Sequence, residues 1–212
     1  MFRFCFVLCF VFLLSSCESE SEPQEDLETS NFYALTVGNS WTYNYYRPNN
    51  QTGELDLLNA VEEILITEET EIDGEPFFEY QKTISNNDDC SICPDNGVYL
   101  EHVRDSIGYL INQDGVIRFA HKNIEDYLIS ENLWGDIYGV LSILPETISV
   151  QAGDFTAINN KRYGVSPSED NTYEGSDNKY YSNGIGLVKE TIGTVIQYNI
   201  VLEKHLASYI IN

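Results

Sequence analysis

Residues 61–83 read VEEILITEETEIDGEPFFEYQKT, in which two runs of alternating apolar and polar residues flank the dipeptide Asp73-Gly74. The runs cover residues 61–67 and 77–83, and such alternation is typical of strands that bury one face. Glycine adopts positive φ without steric cost and aspartate tolerates it, so Asp73-Gly74 favours the tight turn of a β-hairpin. The stretch therefore predicts two antiparallel strands joined at residues 73–74.

The same pattern recurs through the rest of the chain after residue 30. Further strand-like runs cover residues 41–46, 98–104, 109–112, 116–121 and 197–202. Asp114-Gly115 is a second strong hairpin signal, and all 15 tyrosines, which favour strands, lie after residue 30. The roughly 180 residues from Asn31 onward suffice for one domain. We therefore expect a mainly β fold over residues 31–212: a single antiparallel curved sheet or open half-barrel meander, with at most one or two short helices.

One stretch, from Asn123 to Leu133, has helical character. Ile124, Tyr127, Leu128 and Ile129 recur close to a period of 3.6 residues, which is the signature of an amphipathic helix. The sequence therefore predicts a short helix here.

The N-terminus has the layout of a secretory signal. Arg3 supplies a positive charge, and the apolar run over residues 4–14 has 11 residues (14 − 3), too few to span a bilayer. Leu14-Ser15-Ser16-Cys17 resembles the bacterial lipoprotein lipobox. The resemblance implies that residues 1–16 are a signal peptide and that Cys17 becomes the first mature residue, carrying acyl chains such as palmitate. The alternative is an ordinary signal that leaves Cys17 unmodified.

Lipid on Cys17 would hold the protein on a membrane, because each buried methylene contributes about 0.8 kcal/mol and two or more chains anchor firmly. Without Arg3, residues 17–212 carry 10 basic groups (11 − 1) against 34 acidic groups, a net charge of −24. Such a chain has no electrostatic route to nucleic acid or to anionic head groups. Six acids and no bases in residues 18–30 predict that residues 17–30, including Cys17, form a disordered acidic tether.

The acidic stretch behind Cys17 also resembles an export signal of Bacteroidetes lipoproteins. That resemblance implies an outer-membrane location with the domain exposed at the cell surface, although the acids here alternate with serine. A periplasm-facing location is the alternative.

Cys90 and Cys93 are the cysteines left after the signal peptide and the lipidation site are set aside. Export to an oxidising compartment makes a disulfide between them the expected state. A thiol redox site would need a lowered thiol pKa, usually from a helix N-terminus or nearby cations, whereas Pro94 begins a turn here. A zinc site would need two further ligands, for which His102 alone is weak support. We therefore interpret the pair as a structural disulfide.

Three separated motifs are similar to those of a family of Bacteroidetes outer-membrane lipoproteins of unknown function. They are VGNSWTY at residues 37–43, VQAGDF at 150–155 and YYSNGIGLVK at 180–189. The resemblance implies a curved antiparallel sheet and an envelope location, and it implies no reaction. Gln151 stands where the family usually has proline. Physically, Trp41 is expected to face inward, and Gly184 and Gly186 to permit a tight turn or bulge.

The acidic residues offer two chemical hypotheses. The loop that contains Asp170, Glu174 and Asp177 is rich in the oxygen ligands that calcium prefers, but it lacks the spacing of an EF-hand loop. A pair of carboxylates could also support a glycan-directed hydrolase, although 34 acids make any such pair indistinguishable from solvated charge. We expect no cofactor other than calcium, if any.

Three classes of function follow. The sequence favours a membrane-anchored, exported lipoprotein with a non-catalytic binding or structural role, whose partner would be a protein, a glycan or an amphiphile. The alternatives are the carboxylate-dependent hydrolase and a redox protein that uses Cys90 and Cys93. Signatures of serine hydrolases, zinc proteases and phosphate loops are absent from the sequence.

Overall fold

The computed structural model describes residues 31–88, 90–122, 125–142, 144–166, 171–195 and 199–212. The predicted signal peptide, Cys17 and the predicted tether lie outside these ranges, as does Asp170. Within them the chain is all β, with no helix. The strands are β1 (Ser40–Pro48), β2 (Leu55–Ile72), β3 (Glu75–Ser85), β4 (Gly97–Ser106), β5 (Tyr109–Asn112), β6 (Ile117–Ala120), β7 (Tyr127–Asn132), β8 (Gly135–Leu141), β9 (Glu146–Val150), β10 (Gly153–Ser166), β11 (Asn171–Ser182), β12 (Gly186–Gly193) and β13 (Ile200–Ile210).

All of these strands pair antiparallel in one sheet, and the order is β6-β5-β4-β3-β2-β1-β13-β12-β11-β10-β8-β7. Strands β1 to β6 form one meander, and the pairing of β1 with β13 joins it to the second half of the chain. Strand β9 pairs with the first part of β10, and β8 pairs with the second part. The expected antiparallel curved sheet is confirmed.

The two ends of the sheet come together through side chains, so the sheet is nearly closed and barrel-like. Asn160 on β10 donates a hydrogen bond to the carbonyl of Ala120 on β6, with the two atoms 2.8 Å apart. The rings of Tyr109 on β5 and Tyr127 on β7 meet edge to face, with centroids 5.9 Å apart. This closure goes further than the open half-barrel expected from the sequence.

The hairpin signals of the sequence are confirmed. Asp73 and Gly74 both have positive φ, 53° and 83°, and they join β2 to β3 with Ile72 opposite Glu75. Gly115, with φ of 77°, lies in the turn between β5 and β6. Local turn chemistry therefore sets these connections.

The helix expected from Asn123 to Leu133 is wrong over its described residues, because residues 127–132 form β7 and pair with β8. The physical reason is a long-range contact. A β-carbon added to Gly139 would lie only 2.5 Å from Cζ of Tyr127, so the Tyr127 ring fills the space above this glycine. The Tyr127 hydroxyl donates a hydrogen bond to the side chain of Asn160. Tertiary packing outweighs a short helical period. Asn123 and Ile124 lie outside the described residues.

Different segments pack at the two ends of the barrel axis, that is, at the two ends of the strands and not at the edge strands β6 and β7. At one end, the Tyr33 hydroxyl donates to the carbonyl of Gly108 at 2.7 Å, and the Gly184 amide donates to the carbonyl of Phe32 at 3.0 Å. At the other end, Cys90 and Cys93 pack in a smaller cluster that includes Tyr45, Ala60 and Leu202. No helix in the described part of the chain has the length and hydropathy needed to cross a membrane.

Candidate ligand-binding site

A cavity of about 230 Å³ lies inside the barrel-like sheet, between the two ends of the barrel axis. Part of its wall is aromatic, formed by Tyr33, Trp41, Tyr43, Tyr80 and Tyr181. Ligand pockets for drug-sized molecules occupy about 300–1,000 Å³, so this cavity suits a smaller molecule. The interior is therefore not filled by side chains, as a purely structural core would be. It is also not the open apolar face that a lipid carrier would need.

The remaining wall of the cavity is strongly charged. Its cations are Lys82, Arg118, Lys179 and Lys204. Its anions are Glu62, Glu101 and Glu190. Four of the ten basic side chains of residues 17–212 thus line one cavity in a very acidic chain.

Strand alternation places these charges inside. Residues two apart on a strand share a face, so Lys82 lies on the same face as Tyr80. In the same way Lys179 accompanies the buried Tyr181, and Glu62 accompanies the buried Ile64. The charged residues therefore occupy inward-facing strand positions that apolar residues usually fill.

Lys204 is the centre of the deepest charge network. Its Nζ lies 3.3 Å from a Glu62 oxygen and 3.1 Å from a Glu190 oxygen, and 5.1 Å from the centroid of the Tyr43 ring. The Tyr45 hydroxyl donates to the second oxygen of Glu62 at 2.5 Å. Burial opposes the charge of Lys204, but Glu62 and Glu190 outweigh burial and raise its pKa well above the usual value. Lys204 therefore stays charged and holds two buried carboxylates.

A second cluster lies where the cavity meets solvent. Glu101 accepts hydrogen bonds from both Lys82 and Arg118. Burial opposes ionisation of Glu101, but the two cations outweigh it and lower its pKa. The side chains of Lys82 and Arg118 are 30% and 39% exposed, whereas those around Lys204 are 6–15% exposed. The cavity therefore opens beside Lys82 and Arg118.

Lys179 is the least satisfied cation of the cavity. Its side chain is 14% exposed, and its Nζ lies 3.4 Å from a Glu190 oxygen, a long ion pair. Burial lowers the pKa of Lys179, and the charge of Glu190 opposes that effect without cancelling it. Within the described ranges, Lys179 donates no side-chain hydrogen bond.

The first and third sequence motifs meet at the aromatic wall. The Trp41 indole Nε1 donates to the Ile185 carbonyl at 2.6 Å, and the Tyr43 hydroxyl donates to the Leu187 carbonyl at 3.0 Å. Gly186, at φ of 96°, lies beneath the Trp41 ring, and Gly184 has φ of 72°. The inward-facing Trp41 and the glycine turn expected from the sequence are confirmed.

The loop that contains Cys90 and Cys93 has a structural setting. The two Sγ atoms lie within bonding distance, and the residues are 4% and 7% exposed. Asn87 accepts from the Cys90 amide and donates to the carbonyls of Cys90 and Pro94. The low exposure of the pair and the absence of a helix from the described residues of this loop disfavour a reactive thiol, which usually lies at a partially exposed helix N-terminus. The oxidised state of the pair stays a prediction.

The described calcium candidates do not converge. Asp177 pairs with Arg162 at 3.3 Å, whereas Glu174, which is 81% exposed, pairs with Lys161 at 3.2 Å. No group of three or more His, Cys, Asp or Glu side chains in the described ranges could hold a metal ion. The calcium hypothesis thus depends on Asp170, which lies outside those ranges.

The cavity carboxylates suit charge pairing better than hydrolysis. A glycoside hydrolase needs one carboxyl that remains protonated as the general acid. Burial opposes ionisation of Glu190, but Lys179 and Lys204 outweigh it and lower the pKa of that carboxyl. Lys82 and Arg118 lower the pKa of Glu101 in the same way. Asp177, whose pKa is raised by burial, does not line the cavity. Glu190 and Glu101 each pair with two cations, and this pairing does not favour the hydrolase alternative.

Sequence reasoning missed the charged cavity as a whole. Lys82, Lys179, Lys204 and Glu190 were not among the predicted site residues. One signal was present, since Lys82 and Lys179 each fall in phase with an inward tyrosine two residues away. In a chain with so few bases, a lysine at a core-facing strand position indicates a buried partner or a ligand.

No family model matches the chain, and no curated protein matches its sequence. Two solved structures resemble it in shape. One is a candidate exported protein with a YmcC-like fold from Bacteroides fragilis, 13% identical, with a TM-score of 0.47. The other is a candidate lipoprotein from Parabacteroides distasonis, 14% identical, with a TM-score of 0.48. Each match covers 84% of this chain and 98% of the other.

Proposed function

We propose that the protein is an exported lipoprotein, anchored to the outer membrane through Cys17, that binds a small molecule in its interior cavity without catalysis. The observation that carries the binding role is the cavity of about 230 Å³ whose wall combines aromatic rings with seven charged side chains. Ligand pockets are concave and combine apolar or aromatic side chains with polar groups that fix the ligand's orientation, and this cavity has both, with an unusually large charged share. The anchoring rests on the N-terminal sequence pattern alone.

The size of the cavity narrows the expected partners. A protein or an extended glycan would bind on an outer surface, whereas a cavity of about 230 Å³ inside the sheet admits a compact molecule. A bilayer-forming amphiphile would leave most of its chain outside this space. The small-molecule role therefore fits the interior better than the other partners that the sequence allowed.

The two tryptophans of the chain provide a test of binding with an internal control. Trp41 lines the cavity, whereas Trp134 packs against Tyr173 outside it. We expect at least one of three compact probes, toluene, 3-phenylpropionate and phenethylamine, to shift the NMR signal of the Trp41 indole N–H. The Trp134 signal should not move. If none of the three probes moves the Trp41 signal at millimolar concentration, the cavity is not a site for compact aromatic ligands and the proposal fails.

Lipidation gives the second test, because it decides where the protein resides. In a bacterial host, metabolic labelling with an alkyne-bearing fatty acid should mark the wild-type protein and recover it with membranes. Cys17→Ser should lose the label and the membrane association, since no other acyl acceptor is proposed and the acidic chain is repelled by anionic head groups. Cys90→Ser is the matched control and should keep the label. Retention of the label by Cys17→Ser would refute the lipobox assignment.

A further inference from the structure

The cavity has a charge opposite in sign to that of the whole molecule. Its four cations exceed its three anions by one, whereas the full chain carries a net charge of −23. Lys179 and Lys204 face Glu190 and Glu62, whereas Lys82 and Arg118 share Glu101 at the partly exposed mouth, so the surplus positive charge lies where a ligand would enter. The count thus favours a ligand with one negative charge.

Lys179 is the cation that the ligand would meet. Lys82 and Arg118 both bond to Glu101, and Lys204 bridges two carboxylates. The Lys179 ammonium instead has one carboxylate oxygen at 3.4 Å. An ammonium group has three protons to donate, so most of its capacity is unused by the described residues.

Two further donors face the same cavity. Tyr80 and Tyr181 line it, and neither hydroxyl bonds to another described residue. Burial raises the pKa of both phenols above the usual value, so both remain protonated at neutral pH. A protonated phenol can donate to a carboxylate, and such a charge-assisted bond is stronger than a neutral one. The cavity therefore offers two hydroxyl donors without an acceptor among the described residues and one ammonium, Lys179, whose only ion pair there is long.

The rest of the wall selects the body of the ligand. The rings of Trp41 and Tyr80 lie 6.0 Å apart at an interplanar angle of 43°, and apolar side chains complete the wall, among them Ile64 and Val103. Aromatic faces of this kind stack on a planar or compact apolar group. The available volume limits that group to about the size of a single ring with a short linker.

We infer that the cavity binds a small monocarboxylate with a compact, preferably aromatic, body, and that its carboxylate pairs with Lys179 and with the hydroxyls of Tyr80 and Tyr181. This inference rests on the proposed function, because it names the class of molecule that the same cavity takes. It adds a charge requirement and a named anchoring residue.

Calorimetric titration with a matched pair of probes tests the charge requirement. The probes are 3-phenylpropionate and its neutral isostere 3-phenylpropanamide. We expect the carboxylate to bind the wild-type protein about tenfold more tightly than the amide, since it alone supplies the missing negative charge. Equal affinities, or tighter binding of the amide, would overturn the inference while leaving the binding role of the cavity intact. Failure of every probe to bind would overturn both.

Variants of Lys179 test the anchor. Lys179→Met should weaken 3-phenylpropionate about tenfold and change the amide by less than about twofold, whereas Lys179→Arg should keep the preference for the carboxylate. Lys161→Met, which removes a lysine outside the cavity, is the matched control and should leave both affinities unchanged. Full carboxylate affinity in Lys179→Met would contradict the assignment.

A second variant keeps the assignment testable if Lys179→Met does not fold. Tyr181→Phe removes one hydroxyl that makes no bond to another described residue, so the folded protein should persist, as checked by circular dichroism. We expect it to weaken the carboxylate several-fold and to spare the amide. No change in carboxylate affinity would remove Tyr181 from the site, and with it the three-donor arrangement.

Discussion

Replacing Lys204 with methionine is expected to lower the free energy of unfolding by about 3–5 kcal/mol, the usual cost of removing one partner from a buried ion pair. The variant would leave the carboxylates of Glu62 and Glu190, whose side chains are 6% and 15% exposed, without their shared cation. Lys179 would still lie 3.4 Å from Glu190, but Glu62 has no other ion-pair partner among the described residues. Urea unfolding at neutral pH, followed by circular dichroism, measures the loss.

The matched control for this variant is Lys161→Met. Lys161 pairs with Glu174, whose side chain is 81% exposed, so solvent screens the pair and its loss should change the unfolding free energy by about 0–1 kcal/mol. A cost below about 1 kcal/mol for Lys204→Met as well would mean that water reaches Glu62 and Glu190 in the folded protein. A further test adds Glu62→Gln and Glu190→Gln to Lys204→Met. The triple variant should recover part of the stability, because it removes the buried negative charges that the single variant leaves unpaired.

The network also explains why so much of the site was invisible in the sequence. Lys204 and Glu62 are 142 residues apart, and they meet because β1 lies between β2 and β13 in the sheet. Period-2 alternation assigns a face to each residue, but it does not say which strands become neighbours. The hairpin at Asp73-Gly74 was predictable because its cause lies within a few residues. The pairing of the first strand with the last had no local signal.

The helix wrongly expected from Asn123 to Leu133 shows the same limit, which is that a local pattern does not report contacts between strands. Residues 127–129 are apolar or aromatic and fit either a helical turn or a strand when read alone. What decides between them is the space above Gly139, which Tyr127 fills, and the bond from Tyr127 to Asn160. Gly139 lies 12 residues (139 − 127) after Tyr127 on the neighbouring strand β8, and Asn160 lies 33 residues after it on β10, so neither contact falls within one helical turn of Tyr127. Short apolar runs followed by glycines are therefore better read as strand candidates in a chain already dominated by hairpins.

Trp41→Ala is expected to cost about 3–5 kcal/mol of unfolding free energy, the range typical of removing a large aromatic side chain from a core. Trp41 is 3% exposed, and its indole Nε1 donates to the carbonyl of Ile185 at 2.6 Å. The change would therefore create a void beside the existing cavity and leave a partly buried carbonyl without its donor. Because the indole ties β1 to the β11–β12 turn, the loss should also loosen that turn. Urea unfolding measures the cost, and hydrogen exchange of the Gly184 amide, bonded to Phe32 at 3.0 Å, reports on the turn.

Trp41→Phe separates the two contributions of the indole. Phenylalanine keeps an aromatic ring against Gly186 but cannot donate to the Ile185 carbonyl, so we expect a cost of about 1–3 kcal/mol from the unpaired carbonyl and the smaller ring. If Trp41→Phe costs as much as Trp41→Ala, the hydrogen bond dominates and the packing of the ring contributes little. If Trp41→Ala costs less than about 1 kcal/mol, the indole is not the link between the first strand and the glycine turn. The co-occurrence of the VGNSWTY and YYSNGIGLVK motifs in this chain would then need another physical cause, whereas the expected result makes them two halves of one contact.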